Sequence, residues 1–315
     1  MMKLSVIIPI YNAADTLQKC LQSVSEQDNT DVELILIDDG STDDSLRICQ
    51  DYAAAHDNTT VLTQKHTGQA AARNLGIQHA SGTYLFFADA DDIVLPNAFQ
   101  HIIERMDGTE LLVFGYDQNG TKHTYPSGEA SAAEIKKTYF CADKARQVKG
   151  SVWNKCFVRE VIARKHVEFP ALSRNEEEVF LMEYLDHIEH IRFDEQVLYA
   201  FHPITLQKAF VRMPDDYAQQ VVSFKNTCLA FAEKWDVLTQ DSKNAIAKEF
   251  FGKMMLALKL CADPKQRDKK RFYDNADLLL SEIPAEQPVR SVRMFRILRK
   301  KWYWLAYLLI CRQVK

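Results

Sequence analysis

Residues 88–92 read ADADD, so Asp89, Asp91 and Asp92 fall within four positions, directly after the apolar run YLFF at 84–87. Two carboxylates one residue apart in a loop point the same way well enough to hold one hard cation, as oxygen ligands do for magnesium or manganese. Such a cation also takes substrate oxygens, and a diphosphate supplies them. Attraction between unit charges about 4 Å apart is roughly 4 kcal/mol at an effective dielectric near 20; without a cation, an acidic edge would repel a nucleotide by a similar amount. A second acidic pair, Asp38 and Asp39, closes the run VELILID. Helix capping or a solvated loop accounts for either cluster alone, but a cap needs only one carboxylate.

The elements that must position these residues follow from the hydrophobic pattern. LSVIIPI (4–10) and VELILID (32–38) are β-branched-rich runs without polar alternation, as in parallel strands covered on both faces. Between them, Leu17, Cys20, Leu21 and Val24 mark one face of a helix. The cycle repeats: a helix near 44–55, a strand TTVLT (59–63), a helix in GQAAARNLGIQHA and a strand in TYLFFA. This alternation predicts a doubly wound α/β sheet, in which ligands sit beyond the carboxyl ends of the strands. Both acidic clusters then share one edge. Further on, ELLVFGYD (110–117) reads as a strand, followed by a polar stretch to about 133, a helix near 131–142 and the segment GSVWNKCFVREVI (150–162). After 213 the pattern is helical: Tyr217, Val221, Phe224, Cys228, Phe231 and Trp235 line one face, and Ile246, Phe250, Met254, Leu258 and Cys261 line another.

Composition narrows the function classes. A formal charge of −4 and a pI near 6.2 give no global reason to expect nucleic acid. The balance is uneven, since no acid follows Glu286 while eight Lys and Arg do, leaving residues 1–286 at −12. Seven scattered cysteines with no C-x-x-C pair suggest neither a disulfide framework nor a zinc site, and fit a reducing cytoplasm. The N-terminal MMKLSVIIPIYN, interrupted by Pro9, is too short an apolar run for a signal peptide or a membrane span. PIYNAADT stands after the first strand where a nucleotide-binding glycine loop would be, which argues against a P-loop NTPase and an NAD-type fold.

Taken in order and spacing, SVIIPIYNA, LILIDDGSTDDS, TGQAAARNLGI, GTYLFFADADDIVLPNAF and VWNKCFVREVI resemble family 2 glycosyltransferases of the GT-A fold over roughly residues 3–205. The resemblance implies an inverting transfer of a sugar, hexosyl or N-acetylhexosaminyl, from a nucleotide diphosphate sugar, with UDP-sugars favoured. The acceptor would be a hydroxyl of a glycan or lipid-linked molecule, and the setting bacterial surface polysaccharide synthesis. Mn2+ or Mg2+ would sit on the diphosphate at the DXD motif, with Asp91 and Asp89 as ligands. Carried over position by position, Pro9, Tyr11 and Asn12 would border the base, and Asp39 beside Asp38 would accept its hydrogen bonds. Asp89 would contact the donor ribose or sugar, Arg73 and Asn74 would lie near the donor pocket, and Trp153 and Lys155 would wall the acceptor or donor sugar.

The family also places a Glu-Asp pair ahead of a helix with a phenylalanine three positions on, the aspartate being the general base. Here NEEEVFLMEYL aligns on Phe180, so Glu176 takes the glutamate's place and Glu177 the aspartate's. That departure leaves two readings open, a base at Glu177 with Glu176 behind it, or a catalytically weak nucleotide-sugar-binding or scaffold subunit of a glycan assembly complex. His202 in YAFHP stands as a structural histidine or as a reach to metal or phosphate. Expected divisions are 1–105 for the nucleotide-sugar half of the GT-A domain, 106–212 for the acceptor half, 213–288 for a C-terminal helical extension, and 289–315 for a basic amphipathic segment. With arginines at 290, 293 and 296 before WYWLAYLLI, this last segment is expected to lie on an anionic membrane surface, making a cytoplasmic protein peripheral.

Overall fold

The computed structural model describes residues 3–141, 148–203, 214–263, 267–283 and 293–313. The chain divides into two compact units, Met1–Tyr139 with Asp143–Ile204, and Phe140–Ala142 with Thr205–Lys315.

The first unit alternates strands and helices: β1 Leu4–Ile10, α1 Ala14–Ser25, β2 Val32–Asp38, α2 Ser45–Ala55, β3 Thr59–Thr63, α3 Gln69–His79 and β4 Tyr84–Phe87. Then come β5 Ile93–Val94, α4 Ala98–Arg105, β6 Leu111–Gln118, β7 Thr121–His123, β8 Gly128–Ser131, α5 Ala132–Thr138, β9 Lys155–Val158, α6 Arg159–Lys165, α7 Glu176–Leu185 and β10 His190–Phe201. One sheet holds all ten strands in the order β3-β2-β1-β4-β9-β6-β10-β5, with β7 on β6 and β8 on β10. β1, β2, β3 and β4 are parallel, as are β6 and β10, while β9 runs antiparallel between β4 and β6. This is the doubly wound α/β architecture expected from the apolar runs. β5, β7 and β8 are only two to four residues long, so periodicity does not announce them. The helix expected near 131–142 stops at Thr138.

β1 is buried along its whole length because β2 and β4 flank its edges, α1 packs on one face and α3 on the other. Pro9, which cannot donate to a ladder, is tolerated there because the β1–β4 pairing ends at Ile7 opposite Phe87. The chain crosses over after β3 to place β4 on the far side of β1, so strand order reverses at β1. Ligands of open α/β sheets bind at such a switch point. α3 sits close on this part of the sheet, since a Cβ at Gly76 would lie 2.5 Å from Ile7 Cγ2 and 3.0 Å from Ile37 Cδ1. Three residues earlier on the same helix face, Arg73 is consequently buried.

The second unit is helical: α8 Tyr217–Lys234, α9 Gln240–Leu260, α10 Lys269–Ser281, α11 Arg293–Arg299 and α12 Tyr303–Gln313. The stripes read from the sequence are its core: Tyr217, Val221, Phe250, Met254 and Leu258 pack with Phe272, Leu279, Phe295, Leu298 and Ile310. The Thr239 and Asp268 side chains cap α9 and α10, accepting from the backbone N–H groups of Ser242 and Arg271. No helix among the described residues is long and apolar enough to cross a membrane. Arg290 and Lys315 of the basic segment lie outside the described residues.

Candidate active site

Three loops meet beyond the carboxyl ends of β1, β2 and β4. After β1, Asn12 takes a left-handed φ of 48° and clips the β2 loop, its Oδ1 accepting from Thr42 N at 2.8 Å and its N–H donating to Ser41 Oγ at 3.0 Å. Tyr11 is exposed and stacks on His66, ring centroids 3.8 Å apart. Asp38 and Asp39 are both buried. Asp39, expected to accept from a nucleobase, has both carboxylate oxygens occupied. Oδ1 accepts from Gln64 Nε2 and Thr67 N, and Oδ2 from Gly68 N and His66 Nδ1, at 2.7–2.9 Å. It therefore ties down the loop that leads into α3. Asp38 accepts from Ser41 N through Oδ2, while its buried Oδ1 has no partner among the described residues and remains an open acceptor.

The ADADD loop brings carboxylate oxygens of Asp89, Asp91 and Asp92 within 4.8 Å of one another. Asp92, which the sequence reading left out of the ligand set, is the buried member. Tyr199 of β10 donates its hydroxyl to Asp92 Oδ2 at 2.8 Å and accepts from Asp89 N at 2.9 Å, and His202 N donates to Asp92 Oδ1 at 2.7 Å. Burial, with the Asp89 charge beside it, pushes the Asp92 carboxyl up to about 8. An all-oxygen donor set of three clustered carboxylates fits a hard divalent cation. Nothing local in YAFHP marks Tyr199, because its partners lie more than 100 residues away.

Arg73 joins this loop to the acidic start of α7. Its guanidinium is fully buried, and its Nη2 donates both to Asp89 Oδ1 at 3.0 Å and to Glu177 Oε1 at 2.6 Å, while Nη1 reaches Glu176 Oε1 at 3.3 Å. The carboxylates outweigh the desolvation that would lower its pKa and keep it ionised. Phe169 lies under the guanidinium carbon, 5.3 Å from ring centroid, and stacks on Phe180 of α7 at 4.0 Å. Asn74, expected near the donor pocket, holds that support in place, with its side-chain amide bonding both the N–H and the C=O of Phe169 at 2.9 Å. Arg73, expected near the donor pocket, is thus tied to the acidic edge by three ion pairs of its buried guanidinium.

Glu176 has 8% of its side chain exposed and Glu177 20%, so Glu177 is the member of the pair that faces solvent. Burial pushes its carboxyl up to about 7; Arg73 opposes this, and the like charges of Glu176 and Asp89 add to it. Trp153 and Lys155, expected to wall a sugar, are both buried. Trp153 stacks between Tyr199 and Phe201, at 5.1 and 4.8 Å. Lys155 starts β9, whose antiparallel pairing aligns Cys156 with Phe86 of β4, and its Nζ donates to Ser151 O and Asn154 Oδ1. Burial lowers its pKa to about 7 against the attraction of Glu177 and Glu178.

Arg73→Gln should be strongly destabilising, because it leaves three converging carboxylates without their buried cation. Removing one partner of a buried charge network costs on the order of 3–5 kcal/mol. A urea midpoint close to that of the parent would contradict this.

The family model described as Glycosyl transferase family 2 matches residues 5–166. The chain is 32% identical over 210 residues to the uncharacterized glycosyltransferase YibD of Escherichia coli, a match covering 64% of this chain and 61% of that protein. It spans about three fifths of the length of the curated relatives it matches. Among solved structures, it is similar to S. aureus TarS 1-349 in complex with UDP-GlcNAc, with a TM-score of 0.66 at 18% identity over 99% of this chain and 91% of that one. The mannosyltransferase PcManGT of Pyrobaculum calidifontis, in complex with GDP-Man and Mn2+, has a TM-score of 0.51 at 15% identity, over 98% and 86%. These two likenesses concern the fold, which is that of GT-A enzymes.

Proposed function

The chain belongs to glycosyl transferase family 2, and from that premise we propose that it is an inverting, metal-dependent enzyme that moves a sugar from a nucleotide diphosphate sugar, UDP-sugars favoured, to a glycan or lipid-linked hydroxyl. The observation that carries this reading is one nitrogen, Arg73 Nη2, bonded both to Asp89 of the carboxylate cluster and to the solvent-facing Glu177. It joins a base candidate and a candidate cation site through the same nitrogen of one buried cation.

In this reading Asp89 and Asp91 would hold Mn2+ or Mg2+, with Asp92 behind them, and the ion would supply positive charge at the leaving diphosphate. Asp38, buried with Oδ1 unpartnered among the described residues, and the exposed ring of Tyr11 lie at the strand ends that would frame the base. Asp39 and Asn12 position the loops that frame the base. Glu177 takes the proton from the acceptor hydroxyl as its oxygen attacks the anomeric carbon on the face opposite the nucleotide. One such displacement inverts the centre. A carboxyl lifted toward 7 by burial is a stronger base than an ordinary glutamate and is about half ionised at neutral pH. The donor side corresponds to 1–105 and the acceptor side to 106–212. With a lipid-linked acceptor, as in bacterial surface polysaccharide synthesis, the enzyme would work as a peripheral protein on the inner face of the cell membrane.

The test is nucleotide release from a panel of UDP-, GDP- and CDP-sugars with manganese, with magnesium and with EDTA. Metal-dependent release from one UDP-sugar is the expected result. Donor binding by calorimetry without turnover on any acceptor preparation would favour the scaffold reading, and turnover undiminished by EDTA would remove the metal.

A further inference from the structure

The described residues expose four large hydrophobic side chains, Tyr11, Trp302, Trp304 and Leu308. Tyr11 belongs to the nucleotide edge. The other three fall within seven residues at the end of the helical unit, where nothing in the transfer chemistry uses them.

Their setting is specific. α11 buries Phe295 and Leu298 and turns Arg293, Arg296 and Arg299, spaced by three, to solvent. α12 buries Tyr303, Ala306 and Ile310, while Trp304 and Leu308 are 57% and 51% exposed, with Arg312 next along the same i, i+4, i+8 line. At the junction, Lys300 Nζ lies 4.8 Å from the ring centroid of Trp302, which is 47% exposed. Residues 293–313 contain no acid, whereas residues 1–286 carry a net −12. We propose that this arginine face together with Trp302, Trp304 and Leu308 is a docking surface for an anionic lipid bilayer. Tryptophan rings lodge at the boundary between headgroups and acyl chains, and basic residues beside them are drawn to anionic lipid. Helices of 7 and 11 residues are too short to span a bilayer and can only lie along it. An anionic surface attracts this basic face. This gives the peripheral location proposed above a surface, and it rests on no step of the transfer chemistry, so vesicle binding and turnover can fail separately.

The experiment is co-sedimentation of the full chain with vesicles of phosphatidylcholine alone and of phosphatidylcholine with about one third phosphatidylglycerol, at low and high salt. The expected result is pelleting with the anionic vesicles only, lost as salt rises, with tryptophan emission moving to shorter wavelength on binding. Trp304→Ser with Leu308→Ser should weaken binding at least about tenfold, and Arg293→Gln with Arg296→Gln and Arg299→Gln by roughly a hundredfold. All five positions are exposed, so melting temperature should stay unchanged, and the salt series on the parent chain decides where a variant does not fold. Equal recovery with both lipids, or unchanged anionic-vesicle binding in both variants, would overturn the proposal. So would a Trp304→Ser, Leu308→Ser variant that dissociates a self-associated parent in sedimentation velocity while still binding vesicles as the parent does, since the patch would then be a contact between copies of this chain.

Discussion

Asp91→Asn is expected to lower sugar transfer by on the order of 1000-fold while leaving the fold intact. The magnitude follows from the charge it removes. A unit charge pair near 4 Å at an effective dielectric of about 20 contributes roughly 4 kcal/mol, and each 1.36 kcal/mol is about tenfold in rate. Thermal unfolding should stay level or rise, because the substitution relieves repulsion in a cluster where three carboxylate oxygens lie within 4.8 Å. The same relief predicts that Asp92, held up near 8 by burial and by Asp89 and Asp91, releases its proton more easily in the variant. Transfer assays beside melting curves check this pair of effects. Turnover within tenfold of the parent would show that Asp91 is not a ligand on which the reaction depends.

Glu177→Gln should reduce kcat by about 100- to 10,000-fold, the usual contribution of a positioned general base, with donor affinity little changed. The pH profile adds a signature that a structural role would not produce. A base works as its carboxylate, and burial has raised the Glu177 carboxyl to about 7. Activity of the parent should therefore climb as pH rises through about 7 and fall away below it, whereas the residual activity of the glutamine variant should lack that limb. Shortening the side chain tests placement: Glu177→Asp retracts the carboxylate by a methylene from its 2.6 Å contact with Arg73. A misplacement near 1 Å costs on the order of 100-fold. A full rate in Glu177→Gln would move the base elsewhere, with Glu176, behind the same guanidinium, the next residue to replace.

The two positions differ in how they could be found. Asp91 is legible in the chain because its partners are local: an apolar strand followed by closely spaced carboxylates defines the loop, and the parallel-sheet rule defines its edge. Glu177 came from alignment on Phe180, and its reach toward Asp89 depends on a bridge that no local pattern announces. Arg73 and Glu176 are 103 residues apart in sequence, and Tyr199 and Asp92 are 107 apart. Trp153 and Lys155 show the converse case. Beside a sugar site their types suggest walls, yet Trp153 is buried against Tyr199 and Phe201 and Lys155, at the start of β9 between β4 and β6, is buried too.

What the sequence determined by itself is therefore the set of elements and the edge at which chemistry is possible. Short β-branched-rich runs without polar alternation mark strands buried on both faces, and stripes stepping by three and four mark helices with one buried side. The choice among the carboxylates belonged to the tertiary structure. The order β3-β2-β1-β4 sets the Asp38 and Asp89 loops on either side of β1, and the close seat of Gly76 on Ile7 carries Arg73 into the gap. Four bonds then occupy Asp39 while Asp38 keeps an open oxygen, and the base candidate is the glutamate left facing solvent. Burial and partner geometry decide such matters, and both arise from contacts between segments distant in sequence, which the period of a pattern does not encode.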